Sequence, residues 1–157
     1  MEVKLARIDN RLLHGIVASQ WAPKVGAMRV MIIDDEVAND ELKKGGMKLA
    51  KPAGCALSII TLETALTNYK NGKYNGQTVF IIVRDPKILL KLTEAGVKIP
   101  ELNIGATAEK NNEIKLSGQA TVTKEEFEIY KDIHSKGTDI KIQYIPADTA
   151  VSFKNFL

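Results

Sequence analysis

Two unbroken apolar runs, Val30-Met31-Ile32-Ile33 and Val79-Phe80-Ile81-Ile82-Val83, constrain the fold of this chain more than any other feature. A strand with one wet face alternates apolar and polar residues. A strand without alternation must be covered on both faces, as in parallel sheets clad by helices. Val3 to Ile8 reads as a first strand, and Ala56 to Ile60 as another with the same two-sided burial. Leu102 to Ile104 forms a shorter run. Ile140, Ile142 and Tyr144 alternate with polar neighbours, which predicts a strand with one wetter face.

Helical signals separate these runs. Leu62, Ala65, Leu66 and Tyr69 fall on one helical stripe. Asp85-Pro86 predicts an N-cap with proline in the first turn, and Gly96 a stop. Thr123 and Glu126 have the spacing of a capping box ahead of Phe127, Tyr130 and Ile133, and Gly137 follows as a helix end. The β-α alternation predicts an α/β fold: an open, mostly parallel central sheet with helices on both faces. With 157 residues and no linker, repeat or low-complexity tract, residues 1–157 read as a single domain.

Composition removes several function classes. A formal net charge of +3, without a basic stripe interleaved with aromatics, argues against nucleic acid as a partner. No apolar run approaches a membrane span, and Met1-Glu2-Val3-Lys4-Leu5 is no secretory signal, so a cytoplasmic location is expected. One cysteine, Cys55, excludes an internal disulfide. Two distant histidines and that cysteine do not make a ligand set, so neither a metal nor a cofactor is expected.

In open parallel sheets, ligands meet the protein beyond the carboxyl ends of the strands. The residues that follow the predicted strands are Asp9-Asn10-Arg11, Asp34-Asp35, Arg84-Asp85 and Gly105. The stretch Arg7-Ile8-Asp9-Asn10-Arg11-Leu12-Leu13-His14-Gly15 carries the chemistry. A strand ends, a short loop follows, and a helix is expected to start near Gly15, offering unpaired N–H groups and the positive end of its dipole. Arg11 supplies a planar cationic fork, and His14 a nucleophilic nitrogen near neutral pH. Asp9 is placed to fix the imidazole tautomer or to orient an arginine, and Arg84 is added from the shared rim. These are the parts that phosphoryl transfer needs. The alternative is a His14 that caps a helix beside a surface Arg11–Asp9 pair.

The Arg-Ile-Asp-Asn-Arg-Leu-Leu-His-Gly stretch resembles the active-site loop of the mannose/sorbose-type IIB components of the bacterial sugar phosphotransferase system. The likeness continues through residues 34–42 and Lys51-Pro52-Ala53-Gly54 and spans essentially the whole chain. It implies that His14 takes a phosphoryl group from a phosphohistidine on a IIA domain. His14 then passes the group to a sugar entering through the membrane IIC and IID subunits, with the domain docked at the inner face of that complex. Asp9 and Arg11 match the positions around the family's histidine. Residue 16 is Ile, where many members have Gln. The Leu-Leu-His-Gly-Ile-Val form is most similar to components that serve N-acetylgalactosamine or galactosamine. A homo-oligomer is left open.

Other residues have plainer readings. Cys55 opens a strand at the end opposite the rim and reads as a small buried thiol. His134 suits a helix C-terminus. Lys43, Lys44, Lys48 and Lys51 read as a solvated helix face. Trp21 belongs either to the core or to a docking surface. Asp34 and Asp35 cap a helix, pair with Arg11, or, in a rival reading, hold magnesium in a flavodoxin-like regulatory or nucleotide-binding module. No Gly-rich phosphate loop supports the nucleotide version.

Overall fold

The computed structural model describes residues 1–157. A seven-stranded sheet runs through the molecule in the spatial order β3-β2-β4-β1-β5-β8-β9. Its members are β1 (Glu2–Asp9), β2 (Arg29–Ile33), β3 (Ala56–Ile60), β4 (Thr78–Val83), β5 (Glu101–Ala106), β8 (Asp139–Ile142) and β9 (Val151–Ser152). All neighbours pair in parallel except β8 and β9. A separate two-stranded hairpin, β6 (Ile114–Lys115) and β7 (Thr121–Val122), precedes the last long helix.

Residues 15–25 are helical, with a π-helical turn at Val17–Trp21 and an α-helical end, α1 (Ala22–Val25). The other helices are α2 (Asp35–Ala38), α3 (Glu41–Leu49), α4 (Leu62–Lys70), α5 (Pro86–Glu94) and α6 (Lys124–Ser135). They divide between the two faces of the sheet, and two apolar clusters result. On one face Leu12, Leu13, Val17, Trp21 and Val37 pack on Leu5, Val30, Ile32, Phe80 and Ile82. On the other, residues of α4, α5 and α6 pack on Ile8, Met31, Ile81, Val83 and Ile104. The apolar runs of β2 and β4 serve both clusters at once, which is why they lack alternation.

The caps are where the sequence put them. Asp85 accepts from the Lys87 N–H. Thr123 and Glu126 form a reciprocal capping box. Gly96 and Gly137 end their helices at φ 100° and 102°. His134 lies in the last turn of α6, its Nδ1 3.1 Å from the Thr138 carbonyl.

Two strand expectations need correction. Ala56–Ile60 is not buried on both faces: β3 is the sheet edge, pairs only with β2, and leaves Ala56 exposed and Leu57 and Ser58 half-buried. An apolar run marks contact with a covering helix but not the presence of a second neighbouring strand. The last parallel strand stops at Ile142, so Tyr144 lies in the following loop. Cys55 lies just before β3, at the end away from the rim as expected, but is half-buried rather than buried, because β3 is the sheet edge. No helix is long and apolar enough to cross a membrane.

Candidate active site

The site is built at the carboxyl end of β1, which lies between β4 and β5. Chain direction creates it. The helix after β1 lies on one face of the sheet, while α5 and α6 lie on the other, so the strand end is a topological switch point. Arg7 and Asp9, two residues apart, point to the same face, where Leu5 and Trp21 also pack.

Asp9 is fully buried and its carboxylate is used on both oxygens. Oδ1 accepts the Arg11 backbone N–H at 3.0 Å. Oδ2 accepts from Arg7 Nε and Nη2 at 3.2 and 3.1 Å and stands 3.0 Å from His14 Nε2. Burial alone would raise the Asp9 pKa. The bonds from His14 and the Arg11 amide, with the Arg7 charge, outweigh it and hold the carboxyl below its usual value.

Arg7 is as deeply buried as Asp9. Besides Asp9, its Nη1 donates to Asn103 Oδ1 and to the Gln143 carbonyl, and its Nη2 to the Tyr144 carbonyl at 2.9 Å. All the guanidinium donors are thereby satisfied. Burial lowers the Arg7 pKa while Asp9 opposes the shift. The cation is tolerable in the core because it is both paired and fully hydrogen-bonded. The Trp21 ring covers it at 4.8 Å from Cζ, and the indole N–H donates to the same Tyr144 carbonyl at 2.9 Å. Trp21 thus belongs to the core.

The loop from Asp9 to His14 closes tightly: the Leu12 N–H returns to the Asp9 carbonyl at 3.1 Å. Leu12 does so at φ 59°, a left-handed conformation that costs a non-glycine residue of order 1 kcal/mol. Its side chain is 1% exposed, and that burial offsets the strain. Leu13 is buried as well, so the two leucines pin the loop and carry His14 to the surface with 14% of its side chain exposed.

Nε2 of His14 faces Asp9, so the carboxylate selects the tautomer with the proton on Nε2 and leaves Nδ1 as the lone-pair nitrogen. Gly15 opens the helix, and the Ala18 N–H is the first to close on it, bonding the His14 carbonyl at 2.8 Å. The N–H groups of the first turn precede any intrahelical acceptor. Arg11 is exposed at the same rim, its Nη2 donating to the Tyr144 hydroxyl at 3.1 Å.

Asp9 thus contacts both His14 and the Arg11 backbone, Gly15 follows directly at the helix start, and the Arg11 side chain turns to Tyr144. Arg84 joins a different group. Its Nε and Nη2 grip both oxygens of Asp34 at 2.8 and 2.7 Å, and Glu36 stands 3.5 Å away. Asp34 also caps α2 by accepting the Val37 N–H. Of the roles open to Asp34, the structure shows the helix cap, and its cation is Arg84 rather than Arg11. The lysine-rich helix α3 is solvated, with Lys43 paired to Glu36 and Lys44 to Glu41.

Sequence reading gave no part in the site to Arg7, Asn103 or Tyr144, and it placed Gly105 on the rim just past a strand, whereas Gly105 lies within β5. One signal was present: Arg7 stands between Ala6 and Ile8 in an apolar strand, and a charge that such a strand buries needs a partner. Gly105 has a steric reason. A Cβ there would stand 2.2 Å from Arg7 Cζ.

The larger surface hollows lie elsewhere. The largest, about 730 Å³, is at the amino ends of β1, β5 and β8 and is lined by Met1–Lys4, Lys98–Pro100 and Lys136–Thr138. His14 lies at the carboxyl end of β1, with 14% of its side chain exposed.

The fold and site define an open parallel α/β domain that exposes an aspartate-oriented histidine at a sheet switch point. Residues 3–157 match the family model described as the PTS system sorbose subfamily IIB component, and the chain belongs to this family of phosphotransferase components. It is 30% identical over 152 residues to the sorbose-specific EIIB component of Klebsiella pneumoniae, covering 97% of this chain and 93% of the relative. The solved IIBSor domain of the sorbose permease from that organism superimposes with a TM-score of 0.91, at 30% identity, over 99% of this chain and 95% of the other. The N-acetylgalactosamine-specific enzyme IIB component 1 of Escherichia coli K12 is 30% identical over 147 residues, 93% of this chain and 92% of the relative. The mannose-specific EIIAB component of the same organism is 27% identical over all of this chain, which spans 49% of that longer protein.

Proposed function

We propose that His14 accepts a phosphoryl group from a phosphohistidine on a IIA partner and delivers it to a sugar entering through membrane IIC and IID subunits. The observation that carries this reading is the 3.0 Å contact between Asp9 Oδ2 and His14 Nε2. In the neutral imidazole it places the proton on Nε2 and the lone pair on Nδ1, the nitrogen that attacks. The Nδ1 lone pair forms the new N–P bond while the donor histidine leaves with the electron pair of the old one. Arg11 and the first-turn N–H groups at Gly15 neutralise the oxygens of the group in flight. In the second step a sugar hydroxyl attacks phosphorus, the N–P bond to His14 breaks, and the imidazole recovers its lone pair as the hydroxyl proton is lost. Asp9 keeps the Nε2 proton in place throughout.

Arg84 takes a structural part in this reading, because Asp34 and Glu36 occupy its guanidinium. The same pairing weighs against magnesium at Asp34, whose oxygens are already used. The stretch from Leu12 to Val17 favours an amino sugar of the N-acetylgalactosamine type. The domain acts docked at the inner face of the membrane complex, through transient surfaces that two partners use in turn.

Incubation with labelled phosphoenolpyruvate, the general phosphotransferase proteins and a IIA partner tests the reading. An acid-labile, alkali-stable label on His14, absent from a folded His14→Ala variant, is expected. Labelling that survives His14→Ala overturns it. A sugar panel with IIC and IID present decides the substrate.

A further inference from the structure

Tyr144 stands two residues past the end of β8, yet its backbone is fastened to the core. The Tyr144 carbonyl takes N–H groups from both Arg7 and Trp21, each at 2.9 Å. The Gln143 carbonyl before it takes Arg7 Nη1 at 3.2 Å and Asn103 Nδ2 at 3.1 Å. Donors on β1 and β5 and the helix after β1 therefore tie this loop to the core, alongside the loop's own bonds from Gln143 Nε2 and the Ile145 N–H to Asp148. From that fixed backbone the phenol reaches the rim and accepts from Arg11 Nη2 at 3.1 Å.

We propose that Tyr144 is a positioning residue for phosphoryl transfer: its hydroxyl berths Arg11 so that the remaining guanidinium donors face the group arriving on His14. The proposal rests on the reading of His14 as the phosphoryl acceptor. An exposed arginine has a large rotamer entropy, which it must give up to clamp a phosphoryl group. A hydrogen bond made beforehand to a hydroxyl on an anchored backbone removes part of that cost from the transfer step. One of five guanidinium donors is spent, and four remain for oxygens. The Arg11 backbone is fixed too, through its amide bond to Asp9 Oδ1. Buried Arg7 thus serves both halves of the site. Through Asp9 it orients the nucleophile, and through the Tyr144 carbonyl it holds the berth of the clamp.

Tyr144→Phe removes only the hydroxyl and leaves the carbonyl anchors in place. Single-turnover labelling of His14 by a phosphorylated IIA domain is expected to slow roughly three- to tenfold at saturating donor, in line with a lost bond to a charged group. The donor concentration for half-maximal rate should move less than about twofold, because the loss falls on the transfer step. The thermal midpoint should stay at the wild-type value, and ¹⁵N relaxation at Arg11 Nε should report a looser side chain. In an Arg11→Met background, which has no guanidinium to berth, Tyr144→Phe should slow labelling no further. A wild-type labelling rate in Tyr144→Phe overturns the proposal, as does an equal loss in both backgrounds. If wild-type His14 takes no label, the site reading fails and takes the proposal with it. A labelled wild type beside an unaffected Tyr144→Phe sinks the proposal alone.

Discussion

Gly105 lies directly against the guanidinium of Arg7, close enough that an added Cβ would overlap Cζ at 2.2 Å. β1 and β5 pair in parallel with Arg7 opposite Asn103, and the register shifts after Ile8, so that Gly105 is left without a partner on β1. Only a residue without a side chain leaves room for the buried cation. Gly105→Ala must push Arg7 away from Asp9, and we expect a loss of about 2–4 kcal/mol in urea unfolding, between ordinary overpacking and a broken buried pair. Labelling of His14 should fall with it, since Asp9 loses the partner that holds it still. Wild-type stability in this variant would show that the core yields at Gly105.

Asp9→Asn tests the tautomer argument. An amide can present either oxygen or nitrogen to Nε2, so the proton is no longer directed to that atom. Labelling should drop by about two orders of magnitude or more, the scale on which general acid–base and orienting groups act. The variant also leaves Arg7 uncompensated in the core, worth about 3–5 kcal/mol. Unfolding curves taken beside the rate measurement separate the two effects. Full labelling by folded Asp9→Asn contradicts the orienting role.

The sequence told more about the frame than about the floor of the site. Capping residues such as Asp85, Thr123 and Glu126 act within a few positions, so local spacing reveals them. Asp9, Arg11 and His14 share one loop and are read together for the same reason. Arg7, Asn103 and Tyr144 meet only because β1, β5 and β8 are neighbours in the sheet. No local pattern encodes that contact across some 137 positions. The edge position of β3 was hidden likewise, because hydrophobicity records what covers a strand and not how many strands flank it. Leu12 deceives in another way: nothing in a leucine announces a left-handed backbone.

Acid should weaken the domain through Asp34 as well as Asp9. Burial tends to raise the Asp34 pKa, but bonds from Arg84 and the Val37 amide outweigh it and leave the folded value below the usual one. A group depressed in this way contributes its full stability above the ordinary carboxylate pKa of about 4 and loses it as pH falls through the folded value. Asp34→Asn should therefore be less stable than wild type at neutral pH, and the two stability curves should converge at low pH. Parallel curves down to pH 2 would remove Asp34 from the acid limb.

Arg84→Met separates the two rim clusters. It breaks the paired bonds to Asp34 while leaving the Arg7–Asp9–His14 chain untouched. Because Arg84 is partly exposed, the expected cost is modest, about 1 kcal/mol, and falls on the β2–β4 side of the sheet. Labelling of His14 should proceed at close to the wild-type rate. A large kinetic defect with little loss of stability would return Arg84 to the transfer chemistry.

Leu12 adopts φ 59° only because its side chain is sealed beneath the surface. Left to itself, the segment would relax toward ordinary backbone angles, and the imidazole would drift from the carboxylate beneath it. A synthetic peptide that copies residues 7 to 17 should therefore be a poor mimic of the intact rim. The reactive geometry is a property of the whole folded body, assembled and lost with it.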